Sequence, residues 1–270
     1  MISSRQNEKL KDIRRLRGSK GDRAILEGAH LVREALAAEL ALEYLLVTPE
    51  LEATSEGHDL VVRSPGPVYR VRDDVLASVT DTDSPRGVVA VASLPRRGLL
   101  ELCGAGSAVL LYLDRVQDPG NLGAIARVAE AAGAGGLICR EGCAHPNHPR
   151  ALRGSAGSLL RLPVAFPVEP EEVARHTGLD AFRWLGLDPH AGIDLYDPSA
   201  SLSPPLVLAL GSEGSGLSPE VAALTTTRIR IPLAPPVESL NVATAAAVVL
   251  YEIRRRGSPT SPPDCPPPRG

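Results

Sequence analysis

The hydrophobic positions of this chain change texture about a third of the way along. At first they form short groups in polar surroundings: Ile25-Leu26-Glu27-Gly28, then Leu31, Val32, Leu36 and Leu40 at the spacing of an amphipathic helix, then a predicted strand over residues 45–47. The run Gly87-Val88-Val89-Ala90-Val91-Ala92 predicts another strand after the polar turn Thr80-Asp81-Thr82-Asp83-Ser84-Pro85, and Pro95-Arg96-Arg97-Gly98 breaks the pattern. From there apolar strands alternate with Ala-rich helices, the pattern of a parallel sheet covered on both faces. Strands are predicted over residues 109–113, 137–139, 182–187, 206–210 and 228–231. Helices are predicted over 122–132, stopping at Gly133-Ala134-Gly135-Gly136, and over 241–255. The expectation is an α/β protein with a small N-terminal domain, residues 1–97, a larger C-terminal domain, residues 107–257, and a tail, residues 258–270. Six prolines in the last 14 residues predict that the tail is disordered.

A chain of 270 residues with 43% hydrophobic and 23% charged positions can bury a sizeable core. The net charge of −3 argues against a nucleic-acid partner only as an average, because residues 1–23 carry eight Lys/Arg against three Asp/Glu. Nearly all the positive charge is arginine, which suits bidentate contacts to phosphate or carboxylate and is equally the mark of a GC-rich genome. The four cysteines form no CxxC pair and the first residues are polar, so a cytosolic, reduced protein is expected. The longest apolar stretches are too short for a membrane span. Cys139, Cys143, His145 and His148 lie close together but match no standard zinc spacing, and no metal is expected. Gly154-Ser155-Ala156-Gly157 has Arg153 where a nucleophile elbow needs its first glycine.

Three Gly-, Pro- and Asn-rich loops follow apolar strands in the C-terminal half, where α/β sheets place their ligands. The first is Asp118-Pro119-Gly120-Asn121-Leu122-Gly123-Ala124-Ile125-Ala126-Arg127. The second is Leu210-Gly211-Ser212-Glu213-Gly214-Ser215-Gly216-Leu217. The third runs from Ile231-Pro232-Leu233 through Glu238-Ser239-Leu240-Asn241-Val242. Each has a plain structural explanation: Asn121 caps the helix that follows it, the glycines make a strand-to-helix turn, and Ser239 and Asn241 sit at a helix start. Neither G-x-G-x-x-G nor a P-loop is present, which disfavours a dinucleotide or P-loop nucleotide site.

In this order the three loops resemble the three motifs of the SpoU, or TrmH-type, branch of the SPOUT methyltransferases. Asn121 with Gly123 and Arg127 resembles motif one, residues 211–217 resemble motif two, and residues 231–242 with Tyr251-Glu252 resemble motif three. Residues 153–158 resemble the arginine- and serine-bearing helix between motifs one and two. Residues 25–36 and 81–92 resemble the family's N-terminal substrate-binding domain, a small fold related to ribosomal RNA-binding proteins. Leu233 departs from the family, whose members commonly have Met after the proline.

The resemblance implies a C-terminal SPOUT domain with a parallel sheet and a deep trefoil knot, an exception to the rule that chains are unknotted. It implies transfer of methyl from S-adenosylmethionine to a ribose 2′-hydroxyl of RNA, ribosomal RNA before tRNA, by a cytoplasmic homodimer whose site is completed across its interface. A non-catalytic RNA-binding protein of the same fold is the alternative. The implied catalytic residues are Asn121, Arg127, Glu213, Ser239 and Asn241. The implied cofactor contacts are Leu210, Gly211, Gly214, Ile231, Pro232, Ser239, Leu240 and Asn241. Arg127 is expected to hold RNA phosphate and stabilise the developing alkoxide, since a guanidinium is a poor base. Glu213 is expected to orient Asn121 or Arg127. Arg5, Lys9, Lys11, Arg14, Arg15, Arg127 and Arg153 are the expected RNA contacts.

Overall fold

The basic N-terminal segment folds as a helix, α1 (Glu8–Arg17), whose only fully buried side chains are Leu10 and Ile13. It packs on a sheet in the computed structural model, which describes residues 1–17, 21–80, 87–94, 97–104, 109–177 and 182–257. The sheet is built from β1 (Arg23–Glu27), β2 (Leu42–Val47), β3 (Val68–Arg70) and β4 (Val88–Ser93), with α2 (Ala29–Ala37), α3 (Pro49–Glu52), α4 (Ser55–Arg63) and α5 (Asp73–Ala77) between them. Its order is β1-β4-β2-β3, with β4 antiparallel to both neighbours and β2 parallel to β3.

Alternation along the strands assigns each face. Ile25, Val89 and Val91 pack with Leu10 and Ile13, while Leu26, Val88 and Ala90 pack with Leu31, Val32 and Leu60 of α2 and α4. The helical spacing expected from Leu31 to Leu40 is real only as far as Ala37, and Ile25-Leu26-Glu27 belongs to a strand. Most of the expected polar turn before β4, residues 81–85, and the tail at 258–270 lie outside the described residues.

The rest of the chain builds a second sheet. Its strands are β5 (Val109–Leu113), β6 (Gly136–Cys139), β7 (Val164–Ala165), β8 (Arg183–Leu187), β9 (Ile193–Asp194), β10 (Leu206–Leu210) and β11 (Thr227–Arg230). The helices are α6 (Leu99–Gly104), α7 (Pro119–Ala132), α8 (Pro149–Gly154), α9 (Ser158–Arg161), α10 (Pro170–Thr177), α11 (Pro219–Leu224) and α12 (Val242–Gly257). The order is β7-β6-β5-β10-β8-β11-β9, and every pairing is parallel. Leu111, Leu113, Leu208 and Leu210 face α7 and α12, while Leu110, Tyr112 and Val207 face a cluster that includes Trp184, Leu102 of α6 and Val221 of α11. Gly133 ends α7 in the left-handed region, at φ 81°, a conformation that costs glycine little.

The two sheets share one apolar core, and polar contacts cross between them. Arg153 Nη1 donates to Glu27 Oε2 at 2.8 Å, Arg161 pairs with Glu34, and Asn147 Nδ2 donates to the Gly21 carbonyl at 3.1 Å. For the site, the consequential feature is strand order: the carboxyl ends of β5, β10, β8 and β11 stand side by side, so loops far apart in sequence meet.

Candidate active site

The loop after β5 is closed by Asp118, whose Oδ1 accepts the Asn121 N–H at 2.9 Å ahead of Pro119 in the first helical position. Asp118, not Asn121, therefore caps α7. With the cap supplied by Asp118, the Asn121 side chain is left to other partners. Asn121 Nδ2 donates to Glu213 Oε1 in the loop after β10. Asn241 Nδ2 donates to Asn121 Oδ1 at 2.9 Å and to Glu213 Oε1 at 3.3 Å. Asn241 also serves as a cap, its Oδ1 accepting the N–H groups of Ala243 and Thr244 at 3.0 and 3.3 Å. Capping and clustering are thus one arrangement: the cap fixes the Asn241 amide so that its donors face Glu213.

Beside this cluster lies a pocket of about 370 Å³ at the ends of β10, β8 and β11. Its wall includes the predicted residues Leu210, Gly211, Glu213, Gly214, Ile231, Ser239 and Leu240. Pro232 and Asn241 do not line it, and Asn121 and Asn241 reach it only through Glu213. The loop after β10 folds back on itself, Ser212 and Gly216 exchanging backbone hydrogen bonds at 3.1 and 2.9 Å. A Cβ on Gly211 would stand 2.1 Å from the Gly216 carbonyl carbon, so no larger residue fits there.

The structure keeps Arg127 apart from this cluster. Six residues beyond Asn121 is about 9 Å along the helix and about 120° around it. Arg127 is exposed on α7, does not line the pocket, and has no hydrogen bond or ion pair among the described residues. Glu213 consequently orients the two asparagines and not Arg127. The expected RNA contacts also divide. Arg5 and Arg15 are exposed. Lys11 pairs with Glu8 at 2.8 Å, Arg14 donates to the Arg5 carbonyl at 2.8 Å, and the Lys9 ammonium lies 4.4 Å from the Tyr44 ring centre. Arg153 shares the buried Glu27 carboxylate with Arg17.

Two features carry no motif and escape sequence reasoning, and for a third, Glu252, the sequence gives a place in motif three but not its partners. Asp114, fully buried at the end of β5, accepts the Ser218 N–H at 2.5 Å, and Arg140 Nη1 donates to Ser218 Oγ at 2.9 Å, tying the loop after β10 to β5. Asp188, just after β8, and Arg228, near the start of β11, line the pocket. Glu252, 7% exposed, holds Arg255 and Arg256, and Arg256 in turn donates to the Leu195 carbonyl at 2.7 Å. Hydrogen bonds from Arg255, then from Arg256, hold the Glu252 carboxyl at about 2. The Cys/His segment is used structurally: His148 Nδ1 caps α8, and the described residues contain no group of three or more His, Cys, Asp or Glu able to hold a metal. No helix among them is long and apolar enough to cross a membrane.

A pocket at the carboxyl ends of a parallel sheet, with a carboxylate and two amides gathered at its edge, defines an α/β domain built to hold a ligand beside a reacting centre. Residues 108–251 match the SpoU rRNA Methylase family, and residues 7–90 match the MRM3-like substrate binding domain. The chain belongs to the SpoU rRNA methylase family. It is 31% identical over 257 residues to the 23S rRNA (guanosine(2553)-2′-O)-methyltransferase RlmP of Bacillus subtilis, covering 94% of this chain and 98% of that one. It is 36% identical over 260 residues to an uncharacterised tRNA/rRNA methyltransferase of Synechocystis, covering 94% and 93%. The fold superposes on the AdoMet complex of the SpoU methyltransferase AviRb from Streptomyces viridochromogenes with TM-score 0.84 at 28% identity, over 93% of this chain and 98% of that one. An AdoMet-bound rRNA methyltransferase from Sinorhizobium meliloti gives 0.82 at 30% identity, over 96% and 98%.

Proposed function

We propose that this chain is an S-adenosylmethionine-dependent RNA ribose 2′-O-methyltransferase that acts on ribosomal RNA as a cytoplasmic homodimer. The observation that carries the reading is the Asn121–Glu213–Asn241 cluster, assembled from three loops at the edge of the pocket. The preference for ribosomal RNA is supported by relatives that align with 94% and 96% of the chain and carry rRNA names.

The pocket residues fit the cofactor. Leu210, Ile231 and Leu240 offer an apolar slot for a purine, and about 370 Å³ accommodates a nucleoside-sized ligand. When bound, the cofactor supplies a sulfonium-activated methyl group. The protein's share of the work is alignment, exclusion of water and removal of one proton. Glu213 Oε1 anchors both asparagine amides, while Glu213 Oε2 has no hydrogen bond among the described residues. In this reading Oε2 accepts the proton of the ribose 2′-hydroxyl, and the second N–H of Asn121 holds the hydroxyl oxygen in line. Ser239, exposed on the pocket wall, contributes a further hydroxyl at the same edge.

Arg127 finds its role across the dimer in this reading. Helices α7 and α12 pack side by side and expose Arg127 and Tyr251, the latter 51% exposed. A second copy docked on this face receives Arg127 at its reacting centre, where the guanidinium binds RNA phosphate and stabilises the developing alkoxide. The reading includes a deep trefoil knot formed around the loops after β10 and β11. Residues 1–97 capture RNA, with Arg5 and Arg15 as leading contacts beside Lys9, Lys11, Arg14 and Arg153. Residues 107–257 carry the chemistry, with α6 packed on their sheet.

The test is transfer of labelled methyl from S-adenosylmethionine to unmodified ribosomal RNA and tRNA pools, read as alkali-resistant dinucleotides, with Arg127→Ala alongside. Label in the ribosomal pool that disappears with Arg127→Ala supports the reading. Cofactor binding with no label in either pool means that the target is a precursor particle or another RNA, and no cofactor binding either supports the alternative of a non-catalytic RNA-binding protein.

A further inference from the structure

The pocket wall contains two carboxylates, and the reaction as derived uses one. Glu213 is engaged by the two asparagines; the other, Asp188, follows β8, the strand that lies between β10 and β11. The position of Asp188 is fixed twice. Its N–H donates to the Ile229 carbonyl at 3.0 Å, and its Oδ1 accepts the His190 N–H at 2.8 Å, a turn that sets the side-chain rotamer. Among the described residues Oδ2 has only the Arg228 guanidinium, 3.8 Å away, beyond hydrogen-bond range. Arg228 is itself held by Thr225 Oγ1 and the Ala222 carbonyl, both at 3.3 Å. A rigid, half-buried acceptor with open lone pairs therefore looks into the pocket, one strand further from the reacting centre than Glu213.

Resting on the methyltransferase reading, we propose that Asp188 is the residue that reads the cofactor's ribose, accepting hydrogen bonds from its vicinal 2′- and 3′-hydroxyls. A single methylene separates the sulfonium from the sugar ring, so with the methyl aimed at Asn121 and Glu213 the sugar would lie in the same pocket, whose wall Asp188 shares. A carboxylate matches a vicinal diol because it offers acceptors and no donors. The cofactor's other donors are the adenine N6 amine, which a 2′,3′-dideoxy analogue retains, and the ammonium. The ammonium would stand against the Arg228 guanidinium, a like charge on the same wall, whereas neutral hydroxyls meet no such repulsion.

The test is isothermal titration of the full chain with S-adenosylhomocysteine, with 5′-methylthioadenosine, which lacks the amino-acid arm, and with 2′,3′-dideoxy-5′-methylthioadenosine. Asp188→Ala and Asp188→Asn are compared with wild type, and asparagine retains the acceptor that closes the turn to His190. Hydrogen bonds to a charged acceptor predict that Asp188→Ala weakens the first two ligands by the same factor, roughly 10- to 100-fold. Asp188→Asn should follow in the same direction, and the dideoxy compound should bind all three proteins alike. A loss confined to S-adenosylhomocysteine makes Asp188 an ammonium reader and overturns the proposal, as does unchanged binding by the alanine variant. Failure of the wild-type protein to bind S-adenosylhomocysteine would instead remove the methyltransferase reading itself.

Discussion

Glu213→Gln separates the two tasks assigned to Glu213. Both asparagine amides donate to one oxygen, Oε1, and leave Oε2 open. A glutamine carbonyl can take the place of Oε1 and keep both hydrogen bonds, while its NH₂ occupies the Oε2 position with donors only. Orientation survives and proton acceptance does not. The two hydrogen bonds lose their charge assistance at an exposed residue, which costs stability less than about 1 kcal/mol. A shift in melting temperature of no more than roughly 4 °C follows for a chain of this size. Loss of a positioned proton acceptor lowers the chemical step by roughly 10²- to 10⁴-fold, a barrier increase of about 2.7–5.4 kcal/mol. The assay is single-turnover methyl transfer to ribosomal RNA under saturating cofactor, with S-adenosylhomocysteine affinity measured in parallel. Glu213→Ala should match the loss in rate and also weaken RNA binding, because Asn121 and Asn241 lose their common anchor. A glutamine variant within a few-fold of the wild-type rate would refute Oε2 as the acceptor. A loss of cofactor affinity with the rate at saturating cofactor unchanged would place Glu213 in binding alone.

Gly211→Ala puts a methyl group 2.1 Å from the Gly216 carbonyl carbon, so the hairpin after β10 must move. The expected destabilisation is about 1–3 kcal/mol together with loss of cofactor binding, whereas Gly192→Ala, with open space around it, leaves the melting temperature unchanged. Glu252 is held at about 2 in the folded chain against an ordinary 4.5, so its stabilisation is present above the unfolded value and is lost as pH falls from about 4.5 to about 2. Arg255 is 71% exposed, and solvent screening reduces the effect to about 1 kcal/mol. Glu252→Gln should therefore melt lower at neutral pH and converge on wild type in acid; a constant gap at every pH would mean packing, not charge. For RNA capture, Arg15→Ala should lower the salt dependence of binding by about one unit of slope, and Lys11→Ala, with its ammonium held by Glu8, by less. Equal slopes in all three proteins would remove α1 from the RNA surface.

What was legible in the sequence follows from where burial is two-sided and continuous. β5 and β10 were predicted at their observed bounds because Val109–Leu113 and Leu206–Leu210 are unbroken apolar runs buried on both faces. In the sequence α1 shows only as a basic segment, because two buried residues, Leu10 and Ile13, are too few to make a stripe. β3, β7 and β9 have only two or three residues each and are made strands by their neighbours in the sheet. Arg153 shows the limit for charge: its sign is visible in the sequence, but its partner Glu27 lies 126 residues away and is supplied by docking of the two sheets.

The site divides along the same line. Asn121, Glu213 and Asn241 stand out because glycine, proline and asparagine gather where loops must turn tightly, yet they lie 92 and 120 residues apart and no spacing rule says they touch. Contact is decided by strand order, β5 beside β10 and β8 between β10 and β11, which chain order does not reveal. The same order explains why Asp188 does not stand out in the sequence: Leu187-Asp188-Pro189 carries no glycine signature, and only the insertion of β8 between β10 and β11 turns that loop into a pocket wall. Strand order also fixes what Arg127 can do. Helical geometry alone turns it away from Glu213, so a family motif that groups Asn121 with Arg127 cannot describe one site within one chain. If the motif describes a single reacting centre, that centre must take Arg127 from a second copy, and Arg127→Ala mixed with Glu213→Gln should recover activity in the heterodimers that carry one intact centre.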